Sequence, residues 1–107
     1  RIEIGLCMNP AVNEYIPQIR QILLEYRVDR AFLFGSACTN DFNDKSDIDL
    51  LIRFQDDVEP EERGDLWWNI YFSLENVLNR QIDLLTENSL KNPYLISEIE
   101  KSRIAII

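Results

Sequence analysis

Apolar residues recur along this 107-residue chain in two spacings, one typical of helices and one typical of buried strands. From Ala11 to Arg27 they recur every three or four positions, which predicts an amphipathic helix with Pro17 in its first turn. Runs rich in apolar residues at Arg30 to Phe34, Asp47 to Phe54 and Gln81 to Thr86 predict three strands. Because an uninterrupted apolar run needs cover on both faces, the sheet is expected to be buried by helices.

Three more helices are predicted from their end signals. A short one follows the first strand, from Ser36 to Asn43, and a long one starts at Glu59 to Glu62, where proline and acidic residues favour a helix N-terminus, and runs to about Asn79. Asn92-Pro93 opens the last helix, through about Lys101, and Ile104 to Ile107 is expected to be an apolar tail or an edge strand. The predicted order is α-β-α-β-α-β-α, an α/β (α+β) fold with a mixed sheet of three to four strands.

The long third helix is more apolar than one buried face requires. Its expected core stripe consists of Leu66, Ile70, Leu74, Val77 and Leu78. Its aromatic residues, Trp67, Trp68, Tyr71 and Phe72, widen the apolar arc well beyond that stripe. This excess predicts a second buried surface, against another chain or against the C-terminal helix.

Length and composition indicate one domain, residues 1–107, with 46% hydrophobic residues for its core. Residues 1–10 are expected to be upstream or flexible sequence, with Met8 as a candidate natural start. A net charge of -8 argues against broad binding to nucleic acid or to membrane surfaces, and no apolar stretch is long enough to span a bilayer. With two cysteines and no disulfide framework, a reducing cytoplasm is the predicted location.

Candidate chemistry lies between the first two strands. The chain has no histidine, which excludes Ser-His-Asp and Cys-His catalysis and leaves carboxylate and metal chemistry. Asp47 and Asp49 are two residues apart at the head of a strand, so they face the same side and suit Mg2+ or Mn2+ between them. Gly35-Ser36 leaves a strand and opens a helix, where backbone amides approach an anion. The predicted combination is phosphate beside a divalent metal.

The motif Gly35-Ser36, ten intervening residues and then Asp47-Ile48-Asp49 resembles the nucleotidyltransferase superfamily of the DNA polymerase beta type. Its short single-domain form is the minimal nucleotidyltransferase (MNT) family. That resemblance implies a third carboxylate on a neighbouring strand, and Asp83 is the matching residue. For the three aspartates to meet beside Gly35, the second strand must run antiparallel to the first and parallel to the third, with the long helix as crossover.

The resemblance also implies an activity, the transfer of a nucleoside monophosphate from a nucleoside triphosphate, ATP being expected, to a hydroxyl group. Asp47 and Asp49 would bind the metal, and Asp83 would help to bind a second ion and deprotonate or orient the acceptor hydroxyl. Ser36 and the amide beside Gly35 would hold the terminal phosphates.

One departure from the family pattern affects this phosphate site. Family members often carry a basic residue directly after the Gly-Ser pair, whereas this chain has Ala37-Cys38-Thr39-Asn40. Lys45, on the returning turn, is the nearest basic substitute. Weak triphosphate affinity, or affinity that depends on a partner, is the expected consequence.

Chains that resemble the MNT family pair with a helical HEPN protein as antitoxin and toxin, and the resemblance implies AMP transfer to a tyrosine of the HEPN ribonuclease. Two alternatives stay open: a stand-alone enzyme that nucleotidylates a small molecule, and a binding module that neutralises its partner by occlusion. A homo-oligomer is also compatible with the aromatic surface.

Overall fold

The N-terminal helical segment is broken into two helices. The computed structural model describes residues 10–35, 43 and 45–107. Helix α1 spans Pro10–Asn13 and helix α2 spans Ile16–Glu25, with a turn between them. Pro17 lies in the first turn of α2, as predicted. Because proline has no N–H and its ring clashes with the carbonyl four residues back, one helix from Ala11 to Arg27 cannot form, and that prediction is wrong.

In the described residues, four strands form one mixed sheet. Strand β1 spans Val28–Phe34, β2 spans Ile48–Phe54, β3 spans Ile82–Thr86 and β4 spans Ile104–Ala105. The order is β3-β2-β1-β4, with β1 antiparallel to β2 and β4, and β2 parallel to β3. The predicted strand directions and the predicted mixed sheet are confirmed, and the C-terminal segment provides an edge strand.

Helix α3 spans Pro60–Leu78 and is the crossover between the parallel strands β2 and β3. Glu61 and Glu62 lie in its first turn, where the helix dipole favours negative charge. Asn79 ends the helix in the left-handed conformation, with φ of 52°. A crossover of this kind was the condition for a parallel pair, and it is present.

The C-terminal helix α4 spans Pro93–Ser102 and follows a short 3-10 helix at Glu87–Ser89. The side chain of Asn92 caps α4 by accepting a hydrogen bond from the backbone N–H of Tyr94 at 2.9 Å. Among the helices of the described residues, none combines the length and the hydropathy of a bilayer-spanning segment.

The two faces of the sheet are covered unequally. Leu50 of β2 points to the face that holds the larger core, which helices α2 and α3 complete. Leu51 points to the other face, where it packs with Phe34 and with Ile99 of α4 in a small cluster. Because successive residues of a strand alternate between faces, Asp49 lies on the same, thinly covered face as Leu51.

The helix predicted at Ser36 to Asn43 lies outside the described residues, except that Asn43 is not helical. Residues 1–9 of the predicted upstream segment, Met8 among them, lie outside as well, and its last residue, Pro10, begins α1.

Candidate active site

The C-terminal end of β1 and the N-terminal ends of β2 and β3 meet at the same end of the sheet. Asp49 of β2 pairs in parallel register with Asp83 of β3, and in antiparallel register with Phe34, the last residue of β1. Gly35 follows Phe34 directly, and each aspartate is the second residue of its strand. The sheet therefore brings Gly35, Asp49 and Asp83, from three separate parts of the chain, to the same edge.

Asp49 and Asp83 also share a face of the sheet. Ile48 and Ile82, which precede them, are buried in the larger core, so alternation directs both aspartates to the opposite face. Neighbouring strands lie about 4.8 Å apart, which brings the two carboxylates close together. Asp47 lies immediately before β2, two residues from Asp49, and is half-buried.

Burial and the two neighbouring carboxylates affect the ionisation of Asp49. The pKa of Asp49 is raised from 3.8 to about 6, chiefly by burial, then by the negative charge of Asp83 and then by that of Asp47. Ionising Asp49 in the folded chain therefore costs free energy, and a cation at this edge would offset that cost. Asp83, by contrast, is exposed and accessible to a substrate.

Glycine is the residue type that fits at position 35. Its φ of +69° is in the left-handed region that side chains disfavour. A Cβ at Gly35 would collide with Oδ2 of Asp49 and lie 3.2 Å from its Cγ. The end of β1 thus lies directly against the central carboxylate, and the predicted glycine corner adjoins the predicted aspartate.

Arg80 contacts the turn that leads into the candidate site, and the sequence pattern does not reveal this contact. Its Nη1 donates hydrogen bonds to the carbonyl oxygens of Asn43, at 2.8 Å, and Ser46, at 2.9 Å. Its guanidinium also lies 5.6 Å from the centroid of the Tyr15 ring. Arg80 therefore joins the segment before β3 to the turn that leads into Asp47. Its only sequence signal is a basic residue three positions before Asp83.

The other predicted phosphate-binding residues are less well defined by the fold. Ser36 lies outside the described residues. Lys45 is exposed on the turn before β2, where its backbone N–H donates to Oδ1 of Asn43 at 2.8 Å. Lys45 thus lies two residues before Asp47, on the turn that leads into β2, and its side chain is exposed to solvent.

The residues present fit a divalent cation in chemistry and in backbone position. Asp47, Asp49 and Asp83 provide hard oxygen ligands at one end of the sheet. Burial, and then the charges of Asp83 and Asp47, raise the pKa of Asp49. Within the part of the chain that the structure describes, however, no three Asp, Glu, Cys or His side chains are arranged as a ready metal site.

A small mixed sheet that collects carboxylates beside a glycine corner defines an α/β domain of the nucleotidyltransferase type. The sequence model described as the nucleotidyltransferase domain matches residues 16–106, and the chain belongs to this family. The predicted family and enzyme class are confirmed. The family is in general dependent on divalent metal.

Individual relatives agree with this assignment. A protein of Methanocaldococcus jannaschii named "Putative protein adenylyltransferase" is 35% identical over 96 residues, covering 90% of this chain and 98% of that protein. A solved structure described as a "putative minimal nucleotidyltransferase" superposes with a TM-score of 0.67 at 20% identity, covering 94% of this chain and 96% of that one.

A second solved structure is a complex of a tri-AMPylated HEPN toxin of Shewanella oneidensis with an MNT antitoxin. It matches with a TM-score of 0.64 at 18% identity, and the match covers 90% of this chain and 71% of that chain. At these identities the two structural matches show the fold, and the predicted fold class is confirmed.

Proposed function

We propose that this chain transfers AMP from ATP to a tyrosine hydroxyl of a HEPN-type toxin and thereby acts as its antitoxin. The observation that carries the proposal is the position of Asp49, in register with Asp83 and against Gly35. Two further findings support it: the adenylyltransferase name of the M. jannaschii relative, and the AMPylated HEPN toxin that the S. oneidensis MNT antitoxin accompanies.

Asp47, Asp49 and Asp83 would hold Mg2+ or Mn2+. When bound, such a cation neutralises phosphate oxygens and makes the phosphorus a better electrophile. Burial, and then the charges of Asp83 and Asp47, raise the pKa of Asp49 to about 6, so a bound cation would favour the ionised form of Asp49.

The reaction joins two bond changes at the α-phosphorus of ATP. The acceptor hydroxyl oxygen bonds to that phosphorus while the bond to the bridging oxygen of pyrophosphate breaks, and pyrophosphate leaves with the electron pair. Asp83, which is exposed, accepts the hydroxyl proton or orients the hydroxyl. The backbone amide beside Gly35 approaches the leaving phosphates, and Ser36 and Lys45 are the proposed additional contacts.

Helix α3 offers the partner a surface. Trp68 and Phe72 are each 53% exposed and stack on one another with ring centroids 5.4 Å apart. The two inner aromatic residues are better covered: Trp67 donates from Nε1 to the carbonyl of Leu84 at 3.1 Å, and Tyr71 stacks on it at 5.3 Å. The C-terminal helix therefore does not cover the outer part of this aromatic surface. We propose that Trp68 and Phe72 contact the partner protein.

The decisive experiment is a transfer assay with a HEPN-type protein that binds this chain, using ATP labelled at the α-phosphate and Mg2+. Label on a tyrosine of the partner, lost with EDTA and with Asp49→Asn, is the expected result. Asp29→Asn is the matched control, because Asp29 is exposed on β1 at the far end from Asp49.

Two other outcomes would replace the proposal. Label on a small hydroxyl compound with none on the partner would establish the stand-alone enzyme. Tight binding of the partner without label would establish neutralisation by occlusion. One domain over residues 1–107, and a cytoplasmic location, complete the proposal.

A further inference from the structure

Arg103 lies between α4 and β4, and its side chain reaches the face of the sheet that carries the candidate active site. The guanidinium lies 4.5 Å from the centroid of the Phe32 ring. Phe32 packs with Phe34 and Leu51, and strand alternation puts Asp49 on the same face as these residues. Because Arg103 is exposed, its guanidinium is accessible to a molecule that binds on this face.

The strand register brings Arg103 close to the carboxylates. Strand β4 is antiparallel to β1, and continuing their register by one residue places Arg103 opposite Phe34. On its other side Phe34 pairs with Asp49. Phe32, which lies beneath the guanidinium, is a diagonal neighbour of Asp49, at about 7 to 8 Å between Cα atoms. A positive charge is therefore held one strand away from the central carboxylate.

The charge of Arg103 is not neutralised inside the part of the chain that the structure describes. The ion pairs found there are formed by other arginines and by Lys101. Arg80, in contrast, already donates to two carbonyl oxygens of the turn before β2. Arg103 can thus bind an anion without first breaking an ion pair to a described carboxylate.

A triphosphate at this site would need a positive charge beyond the carboxylates. The chain carries a net charge of -8, and the residue that follows Gly35-Ser36 is Ala37, which is not basic. Under the proposed function, the α-phosphate lies at the aspartates and the terminal phosphates lie towards Gly35, at the end of β1. Arg103 approaches β1 from the other side, and its guanidinium fork suits phosphate oxygens.

We propose that Arg103 binds the terminal phosphate of ATP and takes the place of the basic residue that is missing after Gly35-Ser36. The inference rests on the proposed function for the identity of the nucleotide. In the free chain Phe32 holds the guanidinium over β1, because the face of an aromatic ring attracts a cation.

The test compares the binding of ATP and of AMP to the full chain, measured by calorimetry in the presence of Mg2+. Arg103→Met should bind ATP about tenfold or more weakly than the wild type, because a charge-assisted contact to phosphate is lost. Its affinity for AMP should be unchanged, since AMP has no terminal phosphate. Arg103→Lys keeps the charge without the planar fork and should recover part of the ATP affinity.

Lys101→Met is the matched control. Lys101 is exposed on α4, two residues before Arg103, so its loss changes the net charge of the same region by the same amount. It should leave the ATP affinity nearly unchanged, because exposed charges that do not contact the ligand are screened by salt. Methionine at position 103 still covers the Phe32 ring, and the melting temperature checks that the variant is folded.

Three results would overturn the assignment of Arg103: unchanged ATP affinity in Arg103→Met, an equal loss of ATP and AMP affinity, and an equal loss of ATP affinity in Lys101→Met. The second would place Arg103 at the nucleoside. Absence of ATP binding by the wild type would overturn both this proposal and the proposed function. ATP binding that depends on Arg103, without transfer to a tyrosine, would overturn the proposed function alone.

Discussion

Gly35 lies directly against the carboxylate of Asp49, so closely that a Cβ on Gly35 would collide with Oδ2. The contact joins the end of β1 to the start of β2 in the pair Phe34 and Asp49. It makes the glycine necessary for two separate reasons, its positive φ and the space that the carboxylate takes. The two reasons can be measured apart.

Gly35→Ala should destabilise the chain by about 2 kcal/mol or more, because it adds backbone strain to the collision with Asp49. Urea denaturation measures this cost. In the double variant Gly35→Ala/Asp49→Ala the collision disappears and only the strain is left, so the two changes should be less than additive. Full additivity would show that the carboxylate does not occupy this space in solution.

Asp49→Asn should raise stability without metal at neutral pH. The folded pKa of Asp49, about 6, lies above its ordinary 3.8, so its contribution to stability is fully present below pH 3.8 and is lost as the pH rises through 6. Asparagine does not ionise, so the variant keeps this contribution to folding stability at every pH. The variant should therefore gain about 1 to 2 kcal/mol over the wild type above pH 6, after allowance for solvent screening, and nothing below about pH 4.

Chemical denaturation across this pH range, in the presence of EDTA, measures the difference. Asp29→Asn should show no comparable pH-dependent gain. Adding Mg2+ should then stabilise the wild type more than Asp49→Asn, because the ion binds the folded state through the carboxylate. Equal stabilisation of the two proteins by Mg2+ would remove Asp49 from the metal site.

Arg80→Met should loosen the turn before Asp47, since Arg80 donates to the carbonyls of Asn43 and Ser46. If the turn positions Asp47, the variant should need more Mg2+ for half-maximal transfer, by about tenfold, with a smaller change in the KM for the acceptor. Arg80→Lys keeps one donor and should recover part of the loss. Arg30→Met removes an exposed arginine of β1 and is the control. An unchanged Mg2+ requirement would make Arg80 a purely structural residue.

Replacing Trp68 and Phe72 with serine should weaken partner binding by about tenfold or more, since large aromatic residues dominate most interfaces. Stability should change little, because each ring is 53% exposed. Binding measured by calorimetry is the test. Val77→Ser, at a position 50% exposed near the end of the same helix, is the matched control. Equal affinity of the double variant and the wild type would place the partner elsewhere.

The elements were predictable wherever the pattern is local. The three main strands and α3 follow from apolar runs and end signals, and their observed bounds differ from the predicted ones by only one or two residues. The broken first helix was missed although Pro17 had been placed in a first turn. The helical spacing of apolar residues continues across the break. Spacing alone does not show that Pro17 lacks a backbone N–H and so removes one helical hydrogen bond.

Side-chain partners were much less predictable. Arg80 bonds to carbonyl oxygens 37 and 34 residues away. Every residue has a carbonyl, so no motif marks such partners. The aromatic excess of α3 was visible in the sequence, but which rings stay exposed depends on how the helix is rotated against the sheet.

The sequence by itself determined the strands, their aspartates and the glycine corner, because side-chain alternation and turn chemistry act over a few neighbouring residues. Only the tertiary structure decided the register that pairs Asp49 with Asp83, the contact of Gly35 with Asp49 and the hydrogen bonds that Arg80 donates to distant carbonyl oxygens. Those relations depend on strand register and helix packing, which bring together residues far apart in the chain and leave no local pattern.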